Sequence, residues 1–523
     1  MTGRVTSSVY GGSYGVADDG AYRAAWARLE AARSTLTACA DAWTRTAFAL
    51  STRQMDVLAR LPAVEAAGGA AAASAVLTHR ITRAVDACND IGTMLRRIGD
   101  ECGRLADLVA RAHGLYNAAE SGSRRLTSKA VQLLTTLNPA AMAALAAGVG
   151  LYGASVGRAV DGSCGAADGS SGIAHASHAT AWMQEGLMAG IGAHLSGIAA
   201  LSAPGGLAGP GGLSALGSLG DDGRHVAAAA GGIAAVSAPA NDRLQGDRLV
   251  VACVSPLPDA RPVGYVDSTA AALHDLRRLG AANGDGARTG LSYATIAISR
   301  YAREDGTNAW LVTIPGTDGQ PDSPFGWEQN VELMGDDAVR RARADSARFV
   351  AEAMRLAGVG DDDPVALVGH SQGGIVAATL ASDYVDEFRI EHIVTAGSPI
   401  ANHPVGDDVW VTSVEMEDEL VAALDGAASP QSDRWLTVRG ALAADGDDGR
   451  LLASSPVDIG DGPLPLTHDL AFHEAAYANA AQLGSPALER HDMHLRATIG
   501  GGYQGTTYWQ GRIGDDTDDG RHR

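Results

Sequence analysis

Val365-Ala366-Leu367-Val368-Gly369-His370-Ser371-Gln372-Gly373-Gly374-Ile375-Val376-Ala377-Ala378-Thr379-Leu380-Ala381 is the stretch that decides the fold. Four apolar or small residues run into Gly369, and a small-residue stretch runs out of Gly374. That order predicts a buried strand, a sharp turn and a helix, the context in which G-x-S-x-G becomes a nucleophile elbow. The glycines let the chain bend without a Cβ clash. The turn lifts the Ser371 hydroxyl above a sheet, with a helix N-terminus beneath it to favour developing negative charge.

Outward from the elbow, short apolar runs alternate with helical stretches from Leu249 onward, the pattern of an α/β layer architecture. The strands expected are Leu249–Val254, Tyr293–Ser299, Ala309–Ile314, Val365–Val368, His392–Thr395, Val409–Val414 and Trp435–Val438. A helix of about thirty residues, Trp327 to Leu356, is expected before the elbow strand. The fold class is therefore an α/β hydrolase, a parallel-dominated sheet with flanking helices, preceded by an all-α helical hairpin.

A serine hydroxyl needs a base, an orienting acid and an oxyanion hole to act as a nucleophile. On such a sheet these follow in the order Ser, acid, His, with the acid just past a later strand. Glu415-Met416-Glu417-Asp418-Glu419-Leu420-Val421 follows the Val409–Val414 strand and holds four acids. Asp418 is chosen because it sits in the turn before the chain becomes apolar again; Glu415 and Glu417 are the substitutes. For the base, His473 is preferred to His468, because an Ala-rich helix with a His-x-x-x-Tyr pattern follows it. The oxyanion donors expected are the N–H groups of Gln372, next after the nucleophile, and Thr317, in Ile314-Pro315-Gly316-Thr317 at the end of an earlier strand.

Gly316-Thr317, Gly369-His370-Ser371-Gln372-Gly373-Gly374 and Thr395-Ala396-Gly397-Ser398-Pro399 together resemble the class-three (fungal-type) lipases and their bacterial relatives. The resemblance covers about residues 249–485. It implies hydrolysis of acylglycerol or phospholipid esters without a cofactor or metal, and so a place in lipid degradation. Pro315 and Gln372 depart from the Arg and Leu common in that family, which bears on the lipid preferred. An amidase or thioesterase stays open, since a triad does not distinguish acyl leaving groups. So does an interaction protein whose hydrolase scaffold is inactive.

The 523 residues are too many for one ordinary core. The division expected is 1–120 helical hairpin, 121–245 Ala/Gly-rich short helices and linker, 246–500 catalytic domain, and 501–523 acidic tail. In the hairpin, Tyr22, Leu29, Leu36, Trp43 and Leu50 recur every seven residues. Two seams follow on the second helix: Leu77, Ala84, Ile91, Ile98, Leu105 and Ala112, then Ile81, Cys88, Leu95, Cys102, Val109 and Tyr116. Such heptads specify helices packed side by side. Length, position and the Gly-rich opening Gly11-Gly12-Ser13-Tyr14-Gly15 resemble the Trp-x-Gly hairpins exported by type VII secretion, although the Trp-x-Gly triplet is absent. That resemblance implies a helical protein partner or the secretion machinery acting through residues 20–118. A dimerisation hairpin is the plainer reading.

Residues 130–157 carry no charge, but Pro139, three glycines and alanine in place of leucine favour a buried or amphipathic helix over a membrane span. The net charge of −21 excludes nucleic acid or an anionic membrane as an electrostatically held partner. The five cysteines form neither a zinc spacing nor a disulfide framework. Cys39 and Cys102 fall at similar heights in the hairpin, where a disulfide stays open beside the preferred reading of buried free thiols. No basic segment followed by an apolar core opens the chain, so no standard secretory signal is read. Export by a type VII-like route and a cytoplasmic location both stay open.

Overall fold

The computed structural model describes residues 2–12, 16–66, 71–112, 248–443, 453–459 and 466–514, with short helical pieces between 131 and 234. Contacts divide the chain into two units, 1–14 with 116–444 and 453–523, and 15–115 with 445–452.

The larger unit is built on a sheet of ten strands: β1 (Thr2–Gly11), β2 (Arg248–Val254), β3 (Thr295–Ala302), β4 (Asn308–Ile314), β5 (Pro364–His370), β6 (Arg389–Ala396), β7 (Trp410–Met416), β8 (Trp435–Leu442), β9 (Ser455–Asp458) and β10 (Gly502–Gly514). Their order is β2-β10-β3-β4-β5-β6-β7-β8-β1-β9. Only β4 through β8 run parallel. The other pairings are antiparallel, so the sheet is mixed rather than parallel-dominated. All seven strands expected from the sequence are present. β5, buried along almost its whole length, shows why they were readable: a central strand covered on both faces is a continuous apolar run.

Three strands fall outside that expectation: the short β9, and two that lie where the sequence reads otherwise. The first, β1, was assigned to the helical part, yet it sits between β8 and β9. Its Val5, Ser7 and Val9 are buried, and Ser7 donates through N and Oγ to Asn479 Oδ1 at 2.7 and 2.9 Å. Within the expected tail, Gly502–Gly514 is β10, paired on both sides by β2 and β3.

Helices cover both faces. α3 (Thr269–Gly284), α8 (Leu470–Gln482) and α9 (Pro486–Thr498) cover one; α4 (Trp327–Leu333), α5 (Ala338–Arg343), α6 (Asp345–Ala357) and α7 (Gln372–Asp383) lie on the other. The single long helix expected over 327–356 is thus three. Asp337 caps α5 by accepting from the N–H groups of Val339 and Arg340, and Ala344 is extended. The break turns Arg341 inward to a two-bond pair with Asp383 of α7, at 2.8 Å each. The seven-residue offset between Asp337 and Ala344 marks where packing overrides helical propensity.

The second unit is a hairpin of α1 (Val16–Ala66) and α2 (Ala71–Ala112). The Ile81–Cys88–Leu95–Cys102–Val109 seam faces inward. The companion seam does so only in part: Leu77, Ile98 and Leu105 are more than two-fifths exposed, while Ala84 and Ile91 are half-buried and Ala112 is buried. Small residues one position on take its place. Gly92 lies against the backbone of Ala40 and Gly99 against Leu36, while Ala40, Ala47 and Ala106 are buried. Close backbone approach, rather than large side chains, supplies the contact. Cys39 is exposed rather than buried, Cys102 is half-buried, and both are free thiols. Among the described residues no helix is long and apolar enough to cross a membrane. Residues 130–157, and the 121–245 segment generally, lie almost wholly outside the described residues.

Candidate active site

The C-terminal ends of parallel strands are where an open α/β sheet gathers its binding residues. There β5 ends at His370 and α7 begins at Gln372, with Ser371 between them at φ 52°, ψ −120°. Such backbone costs about 1–3 kcal/mol in a residue with a side chain and persists only when its surroundings enforce it. Here Ser371 N donates to Ala396 O of β6 at 2.9 Å, and its carbonyl accepts from Gly374 N at 3.1 Å. A Cβ on Gly373 would strike the carbonyls of Ile314 and Pro315, and one on Gly374 would strike Ser398. The turn therefore needs those glycines.

The 315–326 loop closes over the elbow. A Cβ on Gly316 would lie 3.1 Å from Ser371 Cβ and 3.2 Å from His370 Nδ1. Gln372 Nε2 donates to Gly326 O at 2.8 Å, tying elbow and loop together, and Thr317 Oγ1 accepts from Asn330 Nδ2 at 3.1 Å. Neither the Thr317 N–H nor the Gln372 N–H donates to an acceptor among the described residues, which leaves both available to a substrate oxygen.

Beside this lies a cluster of one carboxylate and three imidazoles. Its carboxylate is Glu419, in the turn after β7. Glu419 Oε1 hydrogen-bonds to His468 Nδ1, and Oε2 to His473 Nε2 at 3.0 Å and to Met416 N at 3.2 Å. Burial alone would raise its pKa. The charge of His473 and the hydrogen bonds from both histidines outweigh that and hold it well below the usual carboxylate range. Gly397, left-handed at φ 57°, makes the space: a Cβ there would fall against Glu419 Oε1, 2.9 Å from His468 Nδ1 and 3.0 Å from His473 Nε2.

Of the acids singled out in the sequence, Asp418 is buried one residue before Glu419, but the hydrogen bonds from the two histidines go to Glu419. Glu415 sits in β7, paired with Arg439 at 2.9 Å and accepting from Ser413 and Ser429. Glu417 is exposed. His473, in the first turn of α8, is wholly buried with both ring nitrogens engaged, Nδ1 against Asp469 O at 3.2 Å. Burial pushes its pKa down, but the Glu419 charge and hydrogen bond prevail and raise it. His468, about a quarter exposed, engages Glu419 through Nδ1, and its Nε2 makes no hydrogen bond among the described residues.

His370 was not singled out. Its ring lies 4.6 Å from that of His468, and its Nε2 donates to His468 O at 3.0 Å, pinning the backbone of that loop. Burial and the two neighbouring histidines hold its pKa down to about 3, so it is neutral. No hydrogen bond joins Ser371 Oγ to His468 or His473 among the described contacts; nucleophile–base contacts commonly tighten only with substrate bound. Among the described residues no group of histidines, cysteines and carboxylates is arranged to hold a metal ion.

Residues 345–434 match the family model described as PGAP1-like alpha/beta domain. The matched segment runs from α6 through the elbow, β6 and β7 to the Glu419 turn, and ends before both histidines. It marks this part of the chain as an α/β hydrolase-type domain and supports a hydrolase-type function. No curated protein and no solved structure matches the chain.

Proposed function

We propose that the protein is a serine hydrolase that cleaves carboxylic esters through an acyl-enzyme. The observation that carries this reading is the forced positive-φ backbone of Ser371 at the strand–helix turn, beside a loop and a helix start whose Thr317 and Gln372 N–H groups donate to no acceptor among the described residues. Ser371 Oγ attacks the ester carbonyl while His468 Nε2 takes its proton. Glu419 holds the Nδ1–H tautomer and stabilises the imidazolium, the part assigned from the sequence to Asp418. His468 takes the part assigned to His473, because a ring with both nitrogens engaged has no site for the serine proton. The N–H groups of Thr317 and Gln372 receive the oxyanion. The proton passes from His468 to the leaving alcohol, and His468 then activates water to release the acid.

The Gly316-Thr317 loop and the G-H-S-x-G-G elbow, which resemble class-three lipases, support a lipid ester as substrate. Exposed Phe48, Met55, Met94, Ile98 and Leu105 support a helical protein partner for the hairpin. The test is hydrolysis of p-nitrophenyl esters, triglyceride and phospholipid by the wild type and Ser371→Ala. Turnover of at least one ester that falls about a thousandfold or more in the mutant is the expected result. Turnover unchanged by the mutation refutes the reading.

A further inference from the structure

The triad proposed above uses one of the two histidines on Glu419 and leaves the other without a role. His473 is wholly buried, a costly position for an imidazole unless its nitrogens are bound. Its two partners fix its protonation. The Asp469 carbonyl can only accept, so Nδ1 carries a hydrogen. Glu419, which also accepts from His468 and from the Met416 amide, is a carboxylate, so Nε2 carries one as well. A ring with two hydrogens is a cation.

We propose, resting on that triad, that His473 is a positioning residue: its imidazolium clamps Glu419 Oε2 so that Oε1 meets His468, and it cancels part of the carboxylate's charge. Two consequences follow. Without the clamp, Glu419 is held by the Met416 amide and His468 alone, and the tautomer of the base is less well fixed. Without the charge, a proton arriving on the base meets a bare anion rather than a shared one, so the base is protonated at higher pH.

The other titratable groups in contact are few. His370 faces the cluster from the end of β5 and is neutral, as burial requires. Asp469, at the start of α8, adds negative charge near His473 while its carboxylate caps Ala471 N at 2.8 Å. Neither can replace the charge of His473. Burial pushes the His473 pKa down, but the Glu419 charge and hydrogen bond outweigh it and leave it raised, in keeping with the cation that the geometry requires.

The test compares His473→Gln, His473→Leu and His468→Ala in the full-length protein, measuring kcat and KM for p-nitrophenyl butyrate from pH 5 to 9. Gln keeps a hydrogen-bond donor but not the charge. Its kcat on the alkaline plateau should stay within about tenfold of wild type, while the acid limb moves to higher pH by about one unit. Leu removes donor and charge, and kcat should fall about a hundredfold with KM nearly unchanged. His468→Ala should lose about ten-thousandfold. If His473→Leu does not fold, His473→Gln decides alone. A wild-type pH profile in His473→Gln overturns the proposal and reduces His473 to packing, while an inactive His468→Ala keeps the triad. A His473→Gln as inactive as His468→Ala also overturns it, since a donor would then not suffice. An active His468→Ala beside inactive His473 variants overturns both the proposal and the choice of base.

Discussion

Replacing Gly397 by alanine perturbs the three polar groups at the centre of the site with one methyl. Gly397 follows β6 at φ 57°, and its N–H donates to Val414 O at 2.9 Å, so the backbone is fixed from behind. A left-handed residue with a side chain costs about 1–2 kcal/mol. The new carbon would sit against Glu419 Oε1, 2.9 Å from His468 Nδ1 and 3.0 Å from His473 Nε2, where comfortable separations are about 3.5 Å. Each ring must retreat by roughly 0.5 Å and the carboxylate by more. Displacement near 1 Å in a catalytic group costs about a hundredfold, and full loss of acid orientation about ten-thousandfold. The variant should therefore melt only a few degrees lower, yet lose about 10²- to 10⁴-fold in kcat. Gly358→Ala is the control. Gly358 is also left-handed, at φ 87°, but a Cβ there meets nothing within 4 Å, so it carries the backbone cost without the clash. Circular-dichroism melts with kcat for p-nitrophenyl butyrate separate the two. A folded Gly397→Ala with wild-type kcat would refute the assignment of this cluster to the chemistry.

Glu419→Gln should cost about 10³- to 10⁴-fold in kcat, whereas Asp418→Asn, which removes no bond to either histidine, should keep far more activity; the opposite ranking in steady-state kinetics restores Asp418 as the acid. Acid should destabilise the fold between about pH 6.5 and 4. Burial holds His392 well below its ordinary value, His403 down to about 4, and His370 and His491 down to about 3. In that window the unfolded chain binds more protons, so stability falls with pH by up to about 1.4 kcal/mol per unit for each group. His494 is lowered too, and the carboxylates Asp275 and Asp318, whose pKa values burial raises, oppose the five histidines. His473, whose pKa is raised, contributes fully below its unfolded value and adds no slope in this window. A melting temperature flat from pH 7 to 4.5 would contradict this. A chain starting near Arg243 should fail to fold because it lacks β1, while one in which a short linker replaces residues 15–115 should hydrolyse esters near the full-length rate. Soluble expression and specific activity of the two test it.

What could be read from the sequence and what could not has a physical cause at each place. β4 and β5 are buried on both faces and announce themselves as near-continuous apolar runs, while β6 to β8 keep enough Ile, Val, Leu and Trp to be read despite their polar residues. β1 hides because the middle residue of its buried face is Ser7, tolerable there only through Asn479 from α8, a partner no local pattern reveals. β10 carries four glycines within thirteen residues, which read as a tail, although Tyr508, Trp509 and Ile513 are its buried anchors and the signal that was available. The elbow around Ser371 was legible because it is local: strand, turn and helix are contiguous. The carboxylate that meets the histidines was not, because four acids share one turn and only the hydrogen bonds from His468 and His473, about fifty residues on, distinguish Glu419. The same contact separates the two histidines in the triad proposed above. Helical pattern favours His473, but that helix buries both of its nitrogens, and His468, just ahead of the helix, has one without a hydrogen bond among the described residues.

Covalent labelling of the nucleophile tests the central claim most directly. The intact wild-type protein, incubated with a fluorophosphonate probe and digested, should yield one phosphonylated peptide, modified at Ser371, with labelling abolished in Ser371→Ala and strongly slowed in His468→Ala and Glu419→Gln. A folded protein that takes no label at Ser371, or takes it as fast after the loss of His468 and Glu419, would contradict the account.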